Sequence, residues 1–238
     1  MQSKIKKIII TVIVLCAIGI PAGKHWYNNH AIQFKDENMK RVIANLCYKP
    51  YSEDLKITPE DVKEIDVLNI GYVGYYDSLE DLKWCTGLEM LNIDMGMYEA
   101  WDAVYQIAQG EVPEEVTEEK VKQYEKELGK VLPKLKNLKE LYISSNGGCT
   151  WESLDFLEGC NQIEEIFMYD FKLTDYSMLK QCKSIKKIII FNSSIENAED
   201  MIGLEHLEWI GLVNTPLSDN PEEIKKIKEA YPNIKLEY

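Results

Sequence analysis

A short apolar spacing recurs along the chain and constrains its fold more than any other feature. It reads Leu-x-x-Leu-x-Ile at 138–143 and returns at 163–168, 185–190 and 207–212, with Ile, Met or Leu at the apolar positions. The last apolar residues of these copies, Ile143, Met168, Ile190 and Leu212, recur with a period of roughly 22–25 residues, which indicates a repeat architecture. Because alternate side chains of a strand face one side, the last two apolar residues of each copy are predicted to enter a common core.

The spacing extends in both directions. Upstream copies lie at 65–70 and 88–93, and a downstream copy, Tyr231-x-x-Ile234-x-Leu236, ends the series of seven predicted strands. The interval from Ile93 to Ile143 exceeds one period of this repeat class by about 28 residues. We therefore predict a helical insertion over 95–131, with helices over 98–109 and 117–132 and an acidic stretch between them.

A period in the twenties with this spacing is typical of leucine-rich repeats. Over roughly residues 32–238 the chain resembles the short-repeat, internalin-like leucine-rich repeat proteins of bacterial surfaces. The resemblance implies an α/β horseshoe, a solenoid with a parallel concave sheet, and a protein-binding role. The family's asparagine after the strand is present only as Asn146, whereas Gly96, Phe171, Ser193 and Thr215 occupy the equivalent positions.

The segment over 1–23 has the composition of an export signal. Lys4, Lys6 and Lys7 precede an apolar run over 8–20, which is the order found in secretory signals. The run is short for a membrane span, but Trp26 and Tyr27 follow it as in an interfacial aromatic belt. We predict either a cleaved signal peptide or a membrane anchor over 8–23, and in both cases an extracytoplasmic protein that is secreted or held at the membrane.

The remaining chain divides into a linker over 24–31, an N-terminal helical cap over 32–64 and the repeat domain over 65–238. Asp36 and the Thr58-Pro59 pair are typical helix starts within the first cap. The repeat domain ends in a C-terminal cap over 220–238, whose helix begins at Asn220 and Pro221. Caps are expected because the terminal repeats of a solenoid would otherwise expose their core.

Composition excludes several functions. The formal net charge of −13 argues against nucleic acid and against docking of the folded part on anionic lipid. The three His residues, of which His206 alone lies in the repeats, form no nucleophile–base arrangement, and there is no glycine-rich phosphate loop. We therefore predict neither an enzyme nor a cofactor.

The six Cys residues do not predict a metal site, because no C-x-x-C pair is present. Cys85, Cys160 and Cys182 each lie three residues before a strand copy, where the repeat requires an apolar residue. We predict that these three are buried free thiols. Cys149 follows Gly147 and Gly148, and we expect it to be exposed.

The residues between the inward positions are predicted to line the concave face. Those directly after the first inward residue are Asn69, Asn92, Tyr142, Phe167, Ile189, Gly211 and Lys235, and those two further along are Gly71, Asp94, Ser144, Tyr169, Phe191, Val213 and Glu237. The predicted apolar patch consists of Tyr142, Phe167, Tyr169, Ile189, Phe191, Trp209 and Val213. Exposed apolar patches mark interaction sites, and aromatic residues supply most of their binding energy.

Three hypotheses follow for this patch. It binds another protein, with the acidic insertion as a second contact. Alternatively it binds carbohydrate or the cell wall, in which case Asn92, Ser144, Ser145 and Asn192 supply hydrogen bonds between the aromatic rings. In the third hypothesis the insertion folds back over the patch, and the protein is a structural part of an envelope assembly.

Overall fold

The computed structural model describes residues 30–93, 116–145 and 149–238. Within them, seven parallel strands form one open sheet, in which the strands lie side by side in chain order. They are β1 (Val67–Asn69), β2 (Met90–Ile93), β3 (Glu140–Ser144), β4 (Glu165–Tyr169), β5 (Lys187–Phe191), β6 (Trp209–Val213) and β7 (Lys235–Glu237). Sequential parallel strands at the repeat period confirm the predicted leucine-rich repeat solenoid.

The strands align repeat upon repeat. Leu141 of β3 pairs with Ile166, which pairs with Ile188 and then Ile210, and each of these side chains is at most 2% exposed. A second inward row of Ile143, Met168, Ile190 and Leu212 is equally buried. The predicted register of β1 to β6 is therefore confirmed, and the core is a stack of matching side chains.

The predicted register of the last strand is wrong by two residues. Ile210 pairs with Leu236, so Leu236 takes the place that the sequence pattern gave to Ile234. Tyr231 is not part of the strand repeat, because its hydroxyl accepts the N–H groups of Gly203 and Leu204 at 2.9 Å on the convex side. Since the shift is two residues, every side chain keeps its predicted face.

Four helices lie within the described residues: α1 (Glu37–Leu46), α2 (Pro59–Val62), α3 (Glu118–Val131) and α4 (Pro221–Ala230). Three begin at side-chain caps: Asp36 accepts the N–H of Met39, Thr117 that of Lys120, and Asn220 those of Glu222 and Glu223. These bonds satisfy donors that a helix start leaves unpaired. The other repeats return through 3₁₀ turns such as Asp155–Leu157, Ser177–Gln181 and Ala198–Asp200.

Helix α3, the second helix predicted in the insertion, packs on the convex side of the solenoid. Val121, Tyr124, Leu128 and Val131 are buried, and the helix contacts the turns over 80–84 and 155–157. Glu127 Oε2 accepts the N–H of Leu79 at 2.7 Å. This helix therefore lies on the convex side of its repeat, directly before the 3₁₀ turn Leu132–Lys134. The first predicted helix, over 98–109, lies outside the described residues.

Three of the four cysteine predictions are confirmed, and one is wrong. Cys85, Cys160 and Cys182 are fully buried free thiols in the core, as predicted. Cys149 is also fully buried, so its predicted exposure is wrong. Cys149 and Trp151 both belong to the buried core, and the Trp151 indole N–H donates to the Ser144 carbonyl at 2.8 Å.

In the part of the chain that the structure describes, no helix is long and apolar enough to cross a membrane. The predicted export segment over 1–23 lies outside the described residues, as does the predicted linker up to residue 29.

Removal of the Tyr124 hydroxyl group tests whether α3 belongs to the core. This hydroxyl lies within hydrogen-bonding distance of the Val73 and Tyr76 carbonyls. Tyr124→Phe should lower the free energy of unfolding by about 1–3 kcal/mol, because buried carbonyl groups lose their partner. Urea unfolding of the variant, with the exposed Lys126→Ala on the same helix as control, measures this. Equal stability of both variants would contradict the assignment of α3 to the core.

Thiol labelling tests the cysteine assignment. Burial raises the pKa of the Cys85, Cys160 and Cys182 thiols to about 12, and the reactive species is the thiolate. At neutral pH these three thiols should react with maleimide only when the protein unfolds. The half-buried Cys47 should react earlier, in the folded protein. Peptide mass spectrometry after timed labelling gives the order, and rapid native labelling of Cys160 or Cys182 would contradict it.

Candidate functional site

The side of the sheet opposite the core, called here the open face, carries three rows of side chains that run across the strands. The charged row is Val67, Met90, Glu140, Glu165, Lys187, Trp209 and Lys235; the middle row is Asn69, Asn92, Tyr142, Phe167, Ile189, Gly211 and Glu237; the end row is Ser144, Tyr169, Phe191 and Val213. All seven residues of the predicted patch lie in these rows on β3 to β6. The structure therefore brings them together on one face.

Four of the aromatic rings form two stacked cross-strand pairs. The ring centres of Tyr142 and Phe167 are 5.8 Å apart with planes inclined by 16°, and those of Tyr169 and Phe191 are 5.4 Å apart at 18°. Each ring thus turns one face towards its neighbour on the adjacent strand. All four residues are half-buried, so part of each side chain remains accessible to a partner.

An aliphatic side chain lies next to each aromatic pair, on the side towards β6. Ile189 follows Phe167 in the middle row, and Val213, which is 42% exposed, follows Phe191 in the end row. Gly211 comes next in the middle row, and a Cβ atom there would meet Ile189 at 3.4 Å. The apolar surface is therefore contiguous across four strands, and it ends where Gly211 provides no side chain.

Within the charged row, Trp209 lies between two lysines on the neighbouring strands. The Lys187 ammonium lies 4.6 Å and the Lys235 ammonium 3.6 Å from the centre of an indole ring. Each lysine also pairs with an acid, Lys187 with Glu165 at 2.7 Å and Lys235 with Glu237 at 2.9 Å. Cation–π contacts of this kind stabilise the position of an aromatic side chain. The Trp209 side chain is therefore ordered, with a positive charge on either side of it.

Tyr142 connects the charged row to the middle row. Its hydroxyl lies 3.1 Å from a carboxylate oxygen of Glu140. Burial, and then the charge of Glu140, raise the pKa of Tyr142 to about 12. The phenol therefore stays protonated at neutral pH and donates to that carboxylate.

A polar ladder that the sequence analysis missed borders the end row. Asp170, Asn192 and Asn214 directly follow β4, β5 and β6 and adopt positive φ angles of 61°, 50° and 55°. Asn214 donates to Asn192 at 2.6 Å, and Asn192 donates to Asp170 at 2.8 Å. Asp and Asn tolerate this left-handed conformation better than other side chains. These residues recur once in each of the three repeats, one position before the expected asparagine. This recurrence in the sequence could have predicted the ladder.

The polar groups proposed for sugar binding are either buried or already hydrogen-bonded. Ser144 is fully buried, Asn92 is 6% exposed and Ser145 is 7% exposed. The Ser145 hydroxyl accepts the N–H of Trp151 at 3.0 Å, and the Asn192 side chain belongs to the polar ladder. In the described ranges, 30–93, 116–145 and 149–238, no group of three His, Cys, Asp or Glu side chains is arranged to hold a metal ion.

The stacked pairs predict measurable coupling between strands. Stacked rings contribute about 0.5–1.5 kcal/mol beyond their buried area. A double-mutant cycle of Tyr142→Ala and Phe167→Ala, followed by urea unfolding, should return a coupling energy in that range. In the matched control cycle, Tyr142→Ala is combined with Phe191→Ala. These two rings belong to different pairs, so their coupling energy should be near zero. Equal coupling in both cycles would contradict two separate stacks.

Comparison with known proteins gave no matching family model and no matching curated protein. Solved structures do match. Internalin C2 of Listeria monocytogenes is 13% identical with a TM-score of 0.47, and the match covers 85% of this chain and 83% of that chain. An internalin (inlF) of the same species is 14% identical with a TM-score of 0.29, covering 85% and 75%.

A leucine-rich repeat protein of Leptospira interrogans is 13% identical with a TM-score of 0.36, and the match covers 76% of this chain and 62% of that chain. The fold assignment rests on the molecule itself: outside the insertion its apolar spacing recurs with a nearly constant period, and each copy from β1 to β6 forms a parallel strand in the predicted register. The chain thus has the leucine-rich repeat fold, and the solved structures to which it is similar include two internalins.

Proposed function

We propose that this protein is a binding module that recognises another protein through the aromatic open face. The contact residues in this proposal are Tyr142, Phe167, Tyr169, Ile189, Phe191, Trp209 and Val213. The observation that carries the proposal is the in-register apolar surface on β3 to β6, which borders charged residues on one side and the polar ladder on the other. An apolar centre with a polar border is the usual anatomy of a protein interface.

The order of the surface supports tight recognition. The rings of Tyr142 and Phe167 are fixed by stacking, and Trp209 is fixed between two lysines. Side chains that are already ordered lose less conformational entropy on binding. Because all these residues stand on strands of one sheet, their spacing is also set by the backbone.

Protein is favoured over carbohydrate by the presentation of the rings. Sugars stack on exposed ring faces and need free hydrogen-bonding groups beside them. In each stacked pair the two rings turn one face towards each other, and Ser144, Ser145 and Asn92 are buried. The aliphatic Ile189 and Val213 beside the rings suit the apolar side chains of a protein partner better.

The position of α3 argues against the third hypothesis, in which the insertion covers the patch. This helix packs against convex turns, so the described part of the insertion leaves the open face uncovered. In the proposal, binding takes place outside the cytoplasm, with the chain either secreted or held at the membrane by residues 8–23. The acidic stretch of the insertion remains a proposed second contact.

A capture experiment tests the proposal. The immobilised full chain is exposed to envelope and extracellular extracts beside a Phe167→Ser, Phe191→Ser variant of confirmed fold. Retention of a protein by the parent and its loss with the variant is the expected result, because the variant removes one ring from each stacked pair. Equal retention by both would contradict the open face as the binding surface. Retention of purified cell-wall glycan alone would favour the carbohydrate alternative.

Two valines on the same face provide a matched pair of single variants. Val213 is 42% exposed at the edge of the patch, whereas Val67 is 49% exposed on β1, well away from the rings. Val213→Glu should weaken capture of the partner by about tenfold or more, because a charge enters an apolar interface. Val67→Glu should leave capture unchanged. Equal losses in a titration of both variants would point to net charge rather than to the patch.

A further inference from the structure

Strand β7 is the last strand of the sheet that the described residues form. No strand of the described residues pairs with its outer side. The core beneath it is also incompletely covered, since Tyr231, Ile234 and Leu236 are only half-buried. The opposite end differs, because the cap helix α1 contributes the fully buried Met39 and Ile43 to the core there. An open edge with apolar residues under it is a template for a further strand.

The backbone of Leu236 is directed towards that open edge. The N–H of Lys235 donates to the Glu208 carbonyl at 2.9 Å, which places this peptide group on the β6 side. Successive residues of a strand direct their backbone groups to alternate sides. The N–H and C=O of Leu236 therefore point away from β6, where they are available to another strand.

The side chains that flank Leu236 carry opposite charges. Lys235 and Glu237 both lie on the open face and form an ion pair with each other at 2.9 Å. If an antiparallel strand of the same sequence is placed about a two-fold axis at Leu236, Lys235 stands opposite Glu237 of the second copy. Glu237 then stands opposite Lys235 of the second copy. The edge is thus complementary in charge to itself.

Hydrogen-bond geometry agrees with the same register. In that arrangement the two Leu236 residues form a hydrogen-bonded pair and exchange both N–H···O=C bonds. The lysine–glutamate positions become non-hydrogen-bonded pairs, in which opposing side chains approach most closely. By contrast, self-pairing of β1 about Leu68 would set Val67 opposite Asn69, which provides no charge complementarity.

We propose that a second copy of this chain pairs antiparallel with β7 about Leu236, so that two solenoids form a dimer with one continuous sheet. The open faces of both copies then lie side by side, which would give a partner two aromatic surfaces. The contact is a short strand, so the dimer belongs to the small, weak class of interfaces. Association should therefore depend on protein concentration.

Charge variants test the register directly. Lys235→Glu makes every opposing pair acidic, and Glu237→Lys makes every opposing pair basic. Each variant alone should dimerise about tenfold or more weakly than the parent, because both symmetry-related attractions become repulsions. A mixture of the two variants restores opposite charges at both positions, so it should form a heterodimer with the affinity of the parent.

The measurement is sedimentation equilibrium of the full chain in density-matched detergent, at physiological ionic strength so that long-range repulsion is screened. The control pair is Lys225→Glu and Glu229→Lys on α4, two equally exposed residues 3.8 Å apart. These variants change the net charge identically but should dimerise like the parent. A parent that stays monomeric at all concentrations overturns the proposal. So does a dimer that the β7 variants leave unchanged, or a mixture that fails to associate.

Discussion

The alignment of inward side chains from repeat to repeat is the constraint on which the molecule depends. Ile166, Ile188 and Ile210 each lie beside the equivalent residue of the next strand and are excluded from water. A single repeat has no interior of its own, so this stacking supplies the burial that orders the chain. The open face follows from it, because a strand that fixes its inward residues also fixes the residues between them.

This coupling explains why the candidate surface could be predicted from sequence. Once Leu141 and Ile166 are recognised as equivalent inward positions, Tyr142 and Phe167 must become neighbours on the other side. The stacking of the rings and the enclosure of Trp209 could not be predicted, because they depend on side-chain torsions and on lysines from two adjacent strands. The spacing of residues determines which groups meet, and packing determines how they meet.

The failures of sequence analysis have physical causes as well. The last copy of the pattern was misaligned because Tyr231 matches an apolar repeat position, although its hydroxyl bonds to the backbone of the convex side. Cys149 was predicted to be exposed from its glycine neighbours, yet it is buried in the same core as Trp151, two residues later. The polar ladder was missed because Asp170, Asn192 and Asn214 recur one position away from the expected asparagine.

The position of α3 changes how the solenoid can come apart. A stack of independent repeats unfolds by losing terminal repeats one after another, because each repeat contacts only its neighbours. Helix α3 bridges the turns on both sides of its own repeat, and Tyr124 reaches back to the carbonyls of Val73 and Tyr76. We therefore expect fraying from either end to stop at α3, and the central repeats connected by this helix to unfold together.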